Sequence, residues 1–148
     1  MKLKGRKSKV EESRSTKDDR VVAMVKVKMK AERFEELEIW KMSRALVPQV
    51  YGCFDAESLG GQDYGFRNQI TRAAVSVMNN IAEGFERTSD KDFAHFLTIA
   101  KASSGEVRSM LYAAEDIHYL DAHTASKLRT DYEGLSRGIA KLASYLRS

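Results

Sequence analysis

The feature that most constrains this chain is a row of large apolar residues near its C-terminus. Successive members are four, three, four, three and four positions apart: Leu128, Tyr132, Leu135, Ile139, Leu142 and Leu146. Because the turns of an α-helix bring such positions onto one side, this spacing predicts an amphipathic helix over about residues 121–146. A heptad-like seam of this kind is buried by packing against other helices, so the fold must supply partner helices.

Three earlier segments carry the same helical spacing. They cover residues 34–54, residues 64–87 and, after an N-cap at Ser89, residues up to Ile117. A serine N-cap followed by an acidic first turn is a common helix start. Four amphipathic helices with short connections favour alternating directions, so we predict an all-α fold, an antiparallel up-down four-helix bundle over residues 34–148.

Small residues mark the predicted breaks and close contacts. The Gly60-Gly61 pair indicates a loop over residues 58–63. Gly84 lies near the end of the second predicted helix, where we expect a left-handed C-terminal residue. In the third helix, residues 102–105 have no large side chain, which allows close approach of a neighbouring backbone. We expect Ala73-Ala74 of the second helix to be that neighbour.

The first 33 residues differ in composition from the rest of the chain. They hold 12 Lys and Arg against 5 Asp and Glu, whereas residues 34–148 hold 13 against 16. Up to about residue 20 there is no apolar periodicity from which a core could form. We therefore predict that residues 1–33 are a basic, mostly disordered N-terminal extension. Residues 25–30 alternate Val or Met with Lys, which leaves open a short strand, a frayed helical lead-in or an arm that orders on a partner.

The charge of this tail is compatible with two interpretations. It could attract nucleic acid or an acidic partner, or it could be a solvated extension, and charge alone does not decide between them. In the first case its cationic side chains contact phosphates without reading sequence. The candidate nucleic-acid-binding residues are Lys2, Lys4, Arg6, Lys7, Lys9, Arg14, Lys26, Lys28 and Lys30.

Several functional classes find little support in the residues. Cys53 is the only cysteine, which favours a reducing compartment. No window approaches the roughly 18 apolar residues of a membrane span, and the basic N-terminus is not followed by a secretory apolar region. The three histidines lack the spacing of a metal site in a helical bundle. We expect a cytoplasmic protein that is not an enzyme and uses no membrane, metal or cofactor.

A polar stripe accompanies the apolar row of the second predicted helix. Amides and hydroxyls alternate in it with charges, which favours a hydrogen-bonded network against another helix over an ordinary solvated face, the alternative interpretation. A buried Arg72 would need a carboxylate, for which Glu83 and Glu106 are the candidates. The predicted structural polar network or subunit interface comprises Gln69, Arg72, Ser76, Asn80, Glu83, Arg87 and Glu106.

Three runs in this segment carry a family resemblance: Tyr64-Gly65-Phe66-Arg67-Asn68-Gln69-Ile70, Arg72-Ala73-Ala74-Val75-Ser76 and Asn80-Ile81-Ala82-Glu83-Gly84. They resemble the signature of the four-helix bundle proteins encoded in intervening sequences of bacterial 23S rRNA genes. The resemblance covers nearly all of residues 34–148 and none of the tail. It implies a homo-oligomeric ring, a pentamer, without known enzymatic activity. Related accessory proteins of diversity-generating retroelements bind nucleic acid and a reverse transcriptase.

These observations lead to three functional hypotheses. The favoured one is a non-catalytic oligomeric scaffold, accessory to RNA or DNA or to a nucleic-acid enzyme such as a reverse transcriptase. The alternative is a protein-protein interaction module without nucleic-acid binding. The least favoured is an enzyme that uses Arg72, Glu83 and Glu106 in a pocket.

Overall fold

The computed structural model describes residues 31–148. Within this range the chain is all-helical, with no strand. A short 3₁₀-helix at Phe34–Glu36 is followed by α1 (Glu38–Cys53), α2 (Leu59–Gln62), α3 (Tyr64–Glu86), α4 (Asp90–Asp116) and α5 (Ala122–Arg147). The prediction of an all-α chain is confirmed for these residues.

The tail predictions fall on the part of the chain that the structure leaves undescribed. All candidate nucleic-acid-binding residues, from Lys2 through Lys30, lie outside the described residues, and so does the alternating segment 25–30. Ala31 is 6% exposed and belongs to the core, three positions before the predicted start of the folded domain. The division of the chain at residue 33 stays a prediction.

The core is built on the apolar seam that the sequence places in α5. All six seam residues are at most 5% exposed. Among residues 31–148, Tyr132 is the largest of the fully buried side chains, and its hydroxyl has no hydrogen-bond partner there. Burial therefore raises the pKa of Tyr132 above its ordinary value, since the charged phenolate would be poorly solvated there. The seam prediction is confirmed, with one unsatisfied polar atom at its centre.

Local side chains cap the N-terminal ends of α2, α3, α4 and α5. The N-cap residues Ser58, Asp63, Ser89 and Asp121 each accept a hydrogen bond from the backbone N–H three positions later. At Ser89 the Oγ accepts from the amide of Asp92 at 3.1 Å. The predicted helix start at Ser89 is therefore confirmed.

The first predicted helix begins later than residue 34. Leu37 has an extended backbone, with φ −74° and ψ 127°, between the 3₁₀-helix and α1. This bend buries Leu37 completely and brings the ring of Phe34 to 5.1 Å from that of Trp40, edge to face. The periodicity of the apolar residues continues through the bend, which is why the sequence did not reveal it.

The predicted loop over residues 58–63 is wrong, because this segment contains α2. Gly60 and Gly61 are both buried. A Cβ on Gly61 would overlap the backbone carbonyl of Asp55, and one on Gly60 would lie 2.7 Å from Cδ1 of Phe54. The two glycines therefore permit a helical turn to pack against the end of the preceding segment.

The prediction of a left-handed residue at Gly84 is also wrong. Gly84 lies inside α3, and no glycine in residues 31–148 has a positive φ. A Cβ at this position would lie 2.7 Å from the Cβ of Phe96 in α4. The glycine thus serves close approach of the two helices. In the same range, the one non-glycine residue with a positive φ is His118, at 64°, in the α4–α5 connection.

The contacts between α4 and α5 show that these two helices are antiparallel. Ser104 and Ser136 share a hydrogen bond of 2.7 Å between their Oγ atoms. Later in α4, Glu115 pairs with Arg129, which comes earlier in α5, at 2.8 Å.

No helix within residues 31–148 has the length and apolar character required to cross a membrane.

Candidate functional site

The middle of the polar stripe joins α3 to α4. The Oγ atoms of Ser76 and Ser103 lie 2.9 Å apart, within hydrogen-bond distance. Asn80 donates from Nδ2 to the Oγ of Ser76 at 2.9 Å and to its carbonyl oxygen at 2.8 Å. All three side chains are half-buried. These residues form the interhelical hydrogen-bonded cluster that the residue types of the stripe favour.

The two ends of the stripe are more exposed than its middle. Gln69 donates from Nε2 to Glu106 at 3.2 Å across the α3–α4 boundary. At the other end, Arg87 pairs with Glu83 one turn earlier at 2.9 Å, with side chains 47% and 55% exposed. A pair this exposed contributes at most about 0.5 kcal/mol. The ends therefore add little to the stability of the isolated chain.

Arg72 is the member of the stripe that differs most from expectation. Its side chain is exposed and has no hydrogen-bond or ion-pair partner among residues 31–148. Of the two candidate carboxylates, Glu106 accepts from Gln69 and Glu83 pairs with Arg87. Because Arg72 is exposed, the condition under which it would need a carboxylate is not met: its guanidinium remains in water and needs no counter-charge to offset burial.

Two shallow polar grooves meet at Arg72. One, of about 490 Å³, lies between α3 and α4 and is lined by Gly65, Asn68, Gln69, Arg72, Ala73, Ser76, Ser103 and Glu106. The second, of about 380 Å³, is lined by Tyr51, Arg72, Val75, Ser76, Asn79 and Asn80. Arg72 and Ser76 line both grooves. The stripe is thus an open surface rich in amides, and the cation at its centre, Arg72, has no partner among residues 31–148.

Sequence reasoning missed some residues of this surface. Asn68 precedes Arg72 by four positions, so helical spacing alone could have included it. Ser103 belongs to the small-residue segment 102–105, and Ala73 lies beside it in the same groove, as expected. Tyr51 comes from α1, and no periodic signal links it to the stripe.

One charged hydrogen bond anchors the start of α3 near these grooves. The hydroxyl of Tyr119 donates to Oδ2 of Asp63 at 2.7 Å. This bond lowers the pKa of the Asp63 carboxyl and raises that of the Tyr119 hydroxyl, because it stabilises the carboxylate and retains the phenolic proton. It ties the α4–α5 connection to the N-cap of α3.

The remaining chemistry-bearing side chains stand apart from the stripe. In the described part of the chain, no group of three or more His, Cys, Asp and Glu is arranged to hold a metal ion. His95, His118 and His123 are exposed. Cys53 is half-buried, and burial raises the pKa of its thiol, which disfavours the nucleophilic thiolate. What the stripe itself offers is hydrogen bonding and charge pairing.

Residues 35–141 match the family described as 23S rRNA-intervening sequence protein. No curated protein matches the chain. The matched range includes the whole polar stripe, both grooves and most of the folded chain, and it agrees with the resemblance carried by the α3 residues. The chain therefore belongs to the 23S rRNA-intervening sequence protein family.

Proposed function

We propose that this protein is a non-catalytic oligomeric scaffold, accessory to nucleic acid or to a nucleic-acid enzyme such as a reverse transcriptase, in the cytoplasm. In this proposal α1, α3, α4 and α5 form an antiparallel up-down four-helix bundle, and five copies assemble into a ring. The observation that carries it is the exposed polar stripe, in which Arg72 has no partner among residues 31–148.

The composition of the stripe supports contact with another protein surface. Arginine and tyrosine are enriched at protein interfaces, whereas lysine is depleted. Tyr51 lines one of the grooves at Arg72 and is 39% exposed, and Tyr64 at the start of α3 is 74% exposed. A carboxylate from a second copy would give Arg72 the partner that its own chain does not supply.

Charge reversal at Arg72 tests the oligomer. By light scattering after size-exclusion chromatography, the wild-type chain is expected near five times its mass of 16.7 kDa. The substitution Arg72→Glu should shift the population toward monomer, because like charges across an interface repel. Lys41→Glu is the matched control, since Lys41 is exposed on α1 and lies outside both grooves. A monomeric wild type, or equal effects of both substitutions, would contradict the proposed interface.

Deletion of residues 1–30 tests the proposed contact of the basic tail with nucleic acid. The affinity for single-stranded RNA should fall at least tenfold at low salt, because each lost phosphate contact removes a counterion-release contribution. Circular dichroism and oligomer mass serve as controls for the fold. Unchanged affinity would show that the tail is not the contact. Recovery of a protein partner after nuclease treatment, without retained nucleic acid, would favour the interaction-module alternative.

A further inference from the structure

Although the folded part of the chain is mildly acidic, basic side chains gather at the groove between α4 and α5. Arg147 donates to Oγ1 of Thr98 at 2.7 Å near one end of this groove. The pair of Arg129 and Glu115, at 2.8 Å, marks its other end. Between these contacts lies an apolar depression of about 370 Å³, and Lys101 and Arg147 are among the residues that line it.

The antiparallel register places cations from both helices along this groove. Lys101 and Arg108 are seven residues apart on α4, so they lie on the same side of that helix. Arg137 is exposed on α5, between Arg129 and Arg147 in the sequence. Two of these cations pair with carboxylates in the described part of the chain, Arg129 with Glu115 and Arg137 with Glu133. We call the five cations the α4–α5 basic groove: Lys101, Arg108, Arg129, Arg137 and Arg147.

Most of these cations are available to a ligand. Lys101 and Arg108 have no hydrogen-bond or ion-pair partner among residues 31–148. Arg137 is 3.9 Å from Glu133, and the two side chains are 65% and 54% exposed. A pair so long and so exposed holds its members weakly. An anion can therefore engage these side chains without first breaking a strong contact.

An aromatic side chain stands at the end of the groove. Tyr112 of α4 is 58% exposed, and the guanidinium of Arg129 lies 4.1 Å from the centre of its ring. A cation on one face leaves ring surface open to solvent. Exposed aromatic rings beside cationic tracks are the platforms on which bases of single strands stack.

We infer that the α4–α5 basic groove binds the phosphate backbone of a single-stranded nucleic acid and stacks one of its bases on Tyr112. Four of its five cations are arginines, whose planar fork matches phosphate geometry. Arg129 and Arg147 are about 27 Å apart at 1.5 Å per helical residue. A track of that length can contact several successive phosphates of a single strand and exceeds the reach of a free phosphate. The inference rests on the proposed association with nucleic acid, and adds a contact surface on the folded domain.

The test uses the full chain and a labelled RNA single strand of about 20 nucleotides, longer than one such site covers. Its affinity is measured by fluorescence anisotropy between about 50 and 200 mM KCl. Neutralising two groove cations together, Lys101→Gln with Arg108→Gln, should make the slope of log affinity against log salt shallower by about 1.4, or 0.7 per contact. The control pair, Lys41→Gln with Lys127→Gln, removes the same charge from exposed positions outside the groove and should leave the slope unchanged.

A third variant separates stacking from charge. Tyr112→Leu should weaken RNA binding about tenfold and leave the salt slope as it is. The groove assignment is overturned if both charge pairs change the slope equally. It is equally overturned if polyglutamate competes as well as RNA while Tyr112→Leu has no effect, because the ligand is then an acidic peptide.

The results distinguish an error in the groove assignment from an error in the proposed association with nucleic acid. Wild-type binding that neither the groove pair nor Tyr112→Leu alters rejects the groove alone and leaves the tail as the contact. Absence of RNA binding by the wild type at the lowest salt rejects both. The thermal unfolding temperature and the oligomer mass are measured for each variant. If both are unchanged from wild type, a shallower salt slope reflects a loss of RNA contacts and not a loss of folding.

Discussion

Gly61→Ala is expected to lower the free energy of unfolding by about 3 kcal/mol, the upper range for overpacked buried sites. The added methyl group would overlap the backbone carbonyl of Asp55, which cannot rotate away as a side chain can. To accommodate it, α2 must separate from the end of the preceding segment. Urea unfolding followed by circular dichroism measures the loss.

Gly105→Ala is the matched control for this substitution. Gly105 lies in the middle of α4, and a Cβ there meets no atom within 4 Å. Removing a glycine from a helix interior without steric conflict should raise the free energy of unfolding by about 0.5–1 kcal/mol. Equal responses of the two glycines would contradict the packing explanation for Gly61.

Substitutions of Tyr132 are expected to act in opposite directions. Tyr132→Ala should lower the free energy of unfolding by about 3–5 kcal/mol, because it opens a large cavity in a fully buried site. Tyr132→Phe keeps the ring and removes a buried hydroxyl without a partner, and should raise it by about 1 kcal/mol. Urea titrations at neutral pH measure both, and a loss of stability in the phenylalanine variant would show that the hydroxyl is satisfied.

The same hydroxyl should make the stability of the wild type and of Tyr132→Phe depend differently on pH at high pH. Burial raises the pKa of Tyr132 in the folded state, so the unfolded chain loses this proton first, at about pH 10. The contribution of Tyr132 to the free energy of unfolding is therefore fully present below about pH 10 and declines as the pH rises beyond it. Above about pH 10 the free energy of unfolding of Tyr132→Phe should decline less steeply with pH than that of the wild type. Parallel plots of this free energy against pH for the variant and the wild type would contradict the raised pKa of Tyr132.

Local sequence signals predicted much of the fold. The α5 seam was visible because burial on one side of a helix requires apolar residues at three- and four-residue spacing. Ser89 was recognisable because a capping side chain acts on an amide only three positions away. Both signals depend on neighbours in sequence, which a single chain displays directly.

The glycines show where local signals end. A left-handed helix terminus and a close helix contact both call for the same residue, so Gly84 alone could not distinguish them. At Gly84 a Cβ would meet Phe96 on another helix, and at Gly61 it would meet the backbone carbonyl of Asp55. These neighbours show that each glycine permits a close contact. Likewise, Leu37 keeps the apolar pattern while its backbone leaves the helix. Contacts between separate elements resolved these three positions.

The candidate surfaces were predictable to different extents. Residue types marked the polar stripe, but they could not tell whether its partner is a neighbouring helix or a second chain. The basic groove was invisible because net charge averages over the whole surface. Lys101 and Arg147 belong to different helices, and only the register between α4 and α5 brings them to one depression.

The adjacent serines of α4 limit how this molecule can move. Ser103 contacts Ser76 of α3, and Ser104 contacts Ser136 of α5, at 2.9 and 2.7 Å. A slide of α4 along its axis would break both contacts at once, so the two hydrogen bonds together oppose such a movement of α4 against α3 and α5. By contrast, α1 packs on these helices largely through apolar contacts such as that of Leu46, while a hydrogen bond of 2.9 Å from Arg67 of α3 to the carbonyl oxygen of Phe54 holds its C-terminal end. Any adjustment of shape on meeting a partner therefore falls first to the N-terminal part of α1, which can tilt without breaking the serine contacts or the Arg67 hydrogen bond.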